Sequence, residues 1–283
     1  MSKINEIKQR IAGVKKTKKI TQALNMVAAA KFRKAHIALL KARPYSDKLK
    51  QIINDLNSRL IVKDNPFFTG RSDKAGIIVV AGDRGLCGSF NNNIFKQAEA
   101  FVRTLNTEYE LVTIGTKTFQ YFKNKNHPIA IKYLDFFDRL TIQDTNKVSA
   151  FILEKYLTGS WGSVHIIYND FKSALTQKTL ITKLLPVSEQ IPEAPEYIAD
   201  YIYEPGEEAV IDMLLKKYIN FQMYRTFQES STSEQGARMT AMEAATDNAQ
   251  EMIDSFSLRY NRVRQAVITT EIAEIVGGAE ALG

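Results

Sequence analysis

Cysteine is almost absent from this 283-residue chain; Cys87 is the only one. That excludes an internal disulfide framework and fits a reducing compartment, so a cytoplasmic or cytoplasm-facing location is expected. No apolar run reaches the ~18 residues that a membrane-spanning helix needs. The first residues, MSKINEIKQR, start at once on a helical pattern. They show neither the apolar core of a secretion signal nor a separate Ser-rich leader. Histidine is scarce as well: His36, His127 and His165 lie in three different segments without metal-ligand spacing. With no second thiol and no Ser-His-Asp constellation to name, the chain is expected not to be an enzyme and to carry no cofactor or metal. Proline is confined to the middle: one residue, Pro44, lies before residue 60, and none follows Pro205.

The charge that is present is unevenly placed. The net +7 divides into +12 over residues 1–60, zero over 61–206 and −5 over 207–283. Scarce proline at both ends marks the same boundaries. In 1–60, Ile4, Ile7, Ile11 and Val14 follow a 3-4-3 spacing, and Ile20, Leu24, Val27 and Ala28 carry the stripe on. Lys18 and Thr21 interrupt it, and Pro44 predicts a kink rather than a stop. Fifty-odd helical residues would reach ~80 Å, far beyond an ordinary globular helix. In 207–283, Met242, Ala245, Ala249, Met252, Phe256, Arg259, Val263, Ala266, Thr270 and Ala273 recur at 3-4 spacing. Eight of these ten are apolar, which predicts a coiled-coil seam.

Residues 61–206 read differently. AGIIVVAGD, YELVTIG, IAIKYLDF, SVHIIYNDF and LTQKTLITKLLP are short β-rich runs. Helical stretches near 92–105, 116–125 and 144–158 separate the first four, so a mostly parallel sheet with crossover helices is expected. The fold class is therefore α/β. A long antiparallel coiled coil of the N- and C-terminal helices (1–60 and 207–283) would carry an inserted Rossmann-like α/β domain (61–206). Opposite charge on the two helices favours the pairing, but exposed ion pairs contribute little each, so the seam must hold it.

Three features have more than one reading. The stretch VVAGDRGLCGSFNNNIF at 79–95 has the strand, glycine turn and helix of a phosphate cradle. It lacks the lysine of a Walker A loop after Gly88, and the spacing of Gly82 and Gly85 does not give G-x-G-x-x-G. A turn packed on the sheet, with Arg84 facing a partner, is the better reading. The basic helix KKTKKITQALNMVAAAKFRK has one aromatic residue, Phe32, so base stacking has little support and an acidic protein partner is at least as good a reading as nucleic acid. The last nineteen residues hold no Lys or Arg and only Glu271, Glu274 and Glu280 as acids. If exposed, such a helix tip is an interaction patch. Its few charges would suit a part that turns inside a partner.

At four stretches the chain closely resembles the gamma subunits of bacterial F-type ATP synthases: KKTKKITQALNMVAAAKFRKA at 15–35, DRGLCGSFN at 83–91, SEQGARMTAMEAATDNA at 233–249 and ITTEIAEIVGGAEA at 268–281. The last fits the pattern I-T-x-E-x-x-[DE]-x-x-x-G-A from Ile268 through Ala279. The resemblance covers essentially the whole length. It implies a central rotor that turns within three alpha and three beta subunits, couples proton or sodium flow to ATP synthesis, and has no catalytic site of its own. It also implies epsilon and the c-ring as partners, no nucleic acid, and a peripheral place on the cytoplasmic face of a bacterial inner membrane.

The same resemblance assigns residues. It gives Arg264, Gln265, Thr269 and Glu271 polar contacts to a beta-subunit loop, with Leu24 and Met26 on the facing stretch of the N-terminal helix. It places DRGLCG, including Arg84 and Cys87, against the lower part of the ring, and Tyr201, Tyr203 and Glu204 on the c-ring and epsilon. The chloroplast type carries an inserted cysteine pair for redox control; with Cys87 alone, no thiol switch is expected here.

Overall fold

The computed structural model describes residues 2–58, 65–137, 140–173, 176–187, 204 and 206–280. Two helices frame the chain: α1, Ser2–Ser58, and α5, Glu207–Glu280. Between them come β1 (Ala75–Val80), α2 (Phe90–Thr104), β2 (Tyr109–Ile114), α3 (Thr116–Asn124), β3 (Ile129–Tyr133), α4 (Ile142–Leu157), β4 (Ser163–Phe171) and β5 (Gln177–Leu185). The chain forms two compact units, one of Met1–Ala28 with Met239–Gly283, the other of Ala29–Arg238.

In the first unit α1 and α5 pair antiparallel. Lys18 Nζ donates to Gln250 Oε1 at 2.6 Å, the Thr21 and Thr246 hydroxyls meet at 2.7 Å, and Asn25 Nδ2 donates to the Met239 carbonyl at 3.3 Å. The α1 seam is Ile4, Ile7, Ile11, Val14, Lys18, Thr21, Asn25 and Ala28, a sustained 3-4 repeat. This corrects the stripe expected from hydropathy. Thr21 is 8% exposed, whereas Ile20 and Val27 are 51% and 55% exposed. The heptad does not break at Lys18 and Thr21; it continues through them, because polar groups on both helices satisfy one another.

The α5 seam is corrected in the same way. Met242, Ala249 and Ile253 are buried, and Thr246, Phe256, Tyr260, Val263 and Val267 half-buried, while Met252, Arg259 and Ala266 face outward. The row 242-249-256-263 belongs equally to a 3-4 and a 4-3 repeat. Its companion row falls one residue later than the sequence suggested, on Thr246, Ile253, Tyr260 and Val267.

The Thr21–Thr246 pair sets up a double-mutant test. Thr21→Val alone takes from the half-buried Thr246 hydroxyl its partner on the other helix, leaving it only the Met242 carbonyl at 2.8 Å, and costs about 1 kcal/mol. Thr21→Val with Thr246→Val removes both hydroxyls at constant shape and returns to within about 0.5 kcal/mol of the parent. Urea unfolding followed by circular dichroism checks both values.

The second unit is built on a sheet ordered β3-β2-β1-β4-β5. The three pairings among β3, β2, β1 and β4 are parallel, and β5 joins β4 antiparallel at the edge. Every residue of β1, AGIIVV, is buried, as a central strand covered on both faces requires. One face packs Ile78, Val80, Val112 and Ile166 against α4 and against Ile211, Leu215, Ile219, Met223 and Phe227 of α5. The other packs Ile77, Val79 and Leu111 against Ile94, Phe95 and Ala98 of α2 and Phe122 of α3. α1 continues through Pro44 as helix, and its Arg43 and Asp47 meet Glu229 and Arg225 of α5.

Candidate interaction surfaces

In an open α/β sheet the ligand crevice lies beyond the carboxyl ends of the strands, where strand order reverses. Here that point is between β1 and β4. It is already filled by this chain's own helix. Ser230 Oγ donates to the Val80 carbonyl at the end of β1 (3.4 Å), and Ser233 Oγ donates to the Asn169 carbonyl of β4 (3.3 Å). The segment TFQESSTSEQ, 226–235, is polar yet almost wholly buried, Phe227 included. Its groups are largely satisfied internally: Thr232 donates to the Gln228 carbonyl, and Glu229 accepts from Arg225 at 3.1 Å.

The glycine turn sits against the same segment. Glu234 is 3% exposed, and a Cβ on Gly82 would lie 2.7 Å from Glu234 Oε1. Glycine is required there because a carboxylate of the same chain occupies the space beside the turn. A phosphate would meet that carboxylate. Arg238 pairs with Glu234 Oε1 at 2.6 Å and also donates to the Gly85 carbonyl at 3.3 Å. Burial pushes the Glu234 carboxyl above its ordinary value, while the Arg238 guanidinium pulls it back down.

Other elements fix the rest of the turn. Asn91, in the first turn of α2, accepts from Gly82 N at 2.9 Å and donates to the Arg84 carbonyl at 3.2 Å. Asp83 accepts from Thr116 N, at the start of α3, at 2.8 Å and from Phe137 N at 3.0 Å. The two carboxylates at this turn, Asp83 and Glu234, are thus committed to internal donors. At the apex Arg84 is exposed and Leu86 is 65% exposed with φ at +61°, a conformation unusual for leucine. Cys87 lies beneath them, 2% exposed. Burial first, then the Glu234 charge, push its thiol above the ordinary value, so it is protonated at neutral pH.

The first unit presents a second surface. In the antiparallel register, Arg264 falls near the start of α1, and α5 continues beyond it. Residues 268–277 are all exposed. Ile268, Ile272 and Ile275 recur at i, i+4 and i+7, a stripe on one helix face, with Val276 beside it and Leu258 further back at 73% exposure. Ile20, Met26 and Val27 expose a comparable apolar set on α1. Isolated apolar side chains on a surface are ordinary, but stripes of them mark interaction sites.

The family model described as ATP synthase matches residues 3–282. The ATP synthase gamma chain of Geotalea uraniireducens is 42% identical over all of this chain and 99% of its own length. That of Anaeromyxobacter dehalogenans is 41% identical over the whole of both. The chain belongs to the ATP synthase gamma-chain family. Solved structures agree on the fold. A chain of the Euglena gracilis mitochondrial ATP synthase superposes with a TM-score of 0.69 at 18% identity, over 99% of this chain and 95% of that one. One from the Tetrahymena thermophila central stalk and c-ring gives 0.64 at 21% identity, over 80% and 99%.

The residues that the gamma-chain resemblance singles out are distributed as follows. Arg264, Gln265, Thr269 and Glu271 are exposed on the outer part of α5, and the Thr269 hydroxyl donates back to the Gln265 carbonyl at 2.9 Å. Leu24 is half-buried beside the seam and Met26 is 71% exposed. These two sets do not face each other. Thr21 meets Thr246, so Leu24 lies opposite the turn near Met242, about 30 Å along the helix from Arg264. Arg84 is exposed and Cys87 is buried, so the neighbouring exposed apolar residue is Leu86, which sequence reasoning passed over. Glu204 is exposed; Tyr201 and Tyr203 lie outside the described residues. Sequence reasoning also missed the Ile268–Ile272–Ile275 stripe, although its spacing was readable, and the pair Glu234–Arg238, which only the fold brings to the turn.

Proposed function

We propose that this chain is the central rotor subunit of an F-type ATP synthase. It turns within a ring of three alpha and three beta chains and couples proton or sodium flow to ATP synthesis. The observation that carries this reading is the outer part of α5, which runs on past its helical partner with every side chain from Ile268 to Val276 exposed, an apolar stripe and no basic residue after Arg264. Such a tip forms few strong ionic contacts with a surrounding sleeve, so no single orientation is held deeply. A two-helix shaft with different side chains on each face presents unequal contacts to three equivalent partners, and unequal contact is what shifts their conformational equilibria.

The chain itself is non-catalytic in this reading. The crevice of its α/β fold is occupied by α5, which supports the absence of a nucleotide site. Arg84, Leu86, Leu24, Met26, Arg264, Gln265, Thr269 and Glu271 form the surfaces offered to the beta chains. Tyr201, Tyr203 and Glu204 form those offered to epsilon and the c-ring. The functional division follows 1–60 and 207–283 for the shaft and 61–206 for the α/β domain. No helix among the described residues is long and apolar enough to cross a membrane. Attachment at the cytoplasmic face of a bacterial inner membrane is therefore proposed to be peripheral, through the complex.

Co-purification of the tagged chain from native membranes tests the assembly. One copy with three alpha and three beta chains and ATPase activity is expected. A lone chain that binds ATP by itself would overturn the reading.

A further inference from the structure

We propose that Glu234 and Arg238 are positioning residues that fasten the glycine turn 82–88 to α5, so that α5 sets how Arg84 and Leu86 are presented to a partner. The role given to Arg84 and Leu86 rests on the rotor reading; the fastening itself does not. Three contacts from α5 reach the turn and its root. Arg238 Nη2 donates to the Gly85 carbonyl, the Glu234 carboxylate abuts Gly82, and Ser230 Oγ donates to Val80 just before the turn. Glu234 and Arg238 are one helical turn apart, and Arg238 uses the same Nη2 for the carboxylate, at 2.6 Å, and for the Gly85 carbonyl, at 3.3 Å. Both side chains are largely buried, at 4% and 13% exposure, where a charge-assisted contact is screened little by water.

The contact made by Arg238 differs from the others in what it holds. Asn91 and Asp83 tie the turn to α2, to α3 and to Phe137 N, within the α/β fold. Arg238 ties the apex to α5, and it is the last α5 residue of its unit. A displacement of α5 at this position carries the Gly85 carbonyl with it, and so moves the exposed residues on either side, Arg84 and Leu86. Loss of Arg238 leaves the α/β core packed and frees the apex.

Cys87 supplies the readout, because it is the sole thiol and lies 2% exposed beneath the apex. The rate at which a maleimide labels Cys87 in the full-length chain measures opening of the turn. Arg238→Ala is expected to label at least about tenfold faster than the parent, the ratio that loss of a charge-assisted hydrogen bond gives. Arg238→Lys, which keeps the charge but not the reach of the guanidinium to both acceptors, falls between them. If Arg238→Ala fails to fold because Glu234 is left buried and unpaired, the neutral pair Glu234→Gln with Arg238→Met replaces it and is expected to label equally fast. Arg43→Ala, which loosens the Glu229 pair on the same helix away from the turn, is the control and stays at the parental rate. Unchanged labelling in the Arg238 variants overturns the proposal, and so does equal acceleration in the Arg43 control. Because the isolated chain is measured, neither result depends on whether it turns inside a ring.

Discussion

Deleting residues 265–283 is expected to cut ATP-driven ion pumping by the assembled complex roughly tenfold or more while leaving the α/β fold intact. The two halves of this expectation have separate physical grounds. Residues 268–277 are all exposed, and the described seam residues of α1 begin at Ile4, which falls opposite the turn of Arg264 and short of them. The deletion takes from the seam only the half-buried Val267, which lies in the other unit, so the stability of the Ala29–Arg238 unit changes by less than about 0.5 kcal/mol. Function is different. The deleted stretch contains Gln265, Thr269, Glu271 and the Ile268–Ile272–Ile275 stripe, which is most of the outer contact surface of α5. If those contacts supply about 1.4 kcal/mol more in one rotor orientation than in the next, their loss costs about tenfold in rate. Pumping into inverted vesicles reads the functional half, and urea unfolding of the full-length and shortened chains reads the structural half. Unfolding of the whole chain on truncation would sink this account of the tip.

Gly115→Ala is expected to be the most damaging small substitution near the turn, costing more than about 3 kcal/mol. Gly115 ends β2 with φ at +98° and ψ at 141°, a region that residues with a side chain hardly enter. Space is equally restrictive: an added Cβ would lie 2.1 Å from the Ala81 carbonyl oxygen and 3.0 Å from that of Gly82. Both neighbours are backbone at the root of the glycine turn, so relief requires the turn or the end of β2 to move. Gly85→Ala, three residues into the same turn, has nothing within 4 Å and is expected to change stability by less than about 0.5 kcal/mol. Urea midpoints of the two variants, measured side by side, separate strain at one glycine from a general intolerance of the loop. Near-parental stability of Gly115→Ala would contradict the backbone geometry.

The parts of this fold that sequence reveals are those in which hydropathy and position agree. β1 is a run of apolar residues between turns, and it lies at the centre of the sheet as such a run must. The two framing helices follow from scarce proline and a sustained 3-4 repeat. The misreadings arise where a polar residue is buried because another polar residue awaits it. By hydropathy Thr21 interrupts the stripe, yet it is a seam residue, since Thr246 meets it from the other helix. Hydropathy assigns Ile20 and Val27 to the seam, and both are exposed. The segment 226–235 would be read as a solvated face, yet it fills the crevice of the sheet. No local pattern announces that Glu234 will lie against Gly82, some 150 residues earlier in the chain. The glycine turn itself was legible; what occupies the space beside it was not.

The central claim is that this chain turns relative to the beta subunits. The most direct test places a visible probe on α2 through Lys96→Cys, an exposed position, in the assembled complex held to a surface by its beta chains. Cys87 is buried and is labelled far more slowly than the exposed position. On addition of ATP, stepwise rotation in one direction with three dwells per revolution is the predicted result. A probe that stays fixed while the same complexes hydrolyse ATP at full rate would contradict the account.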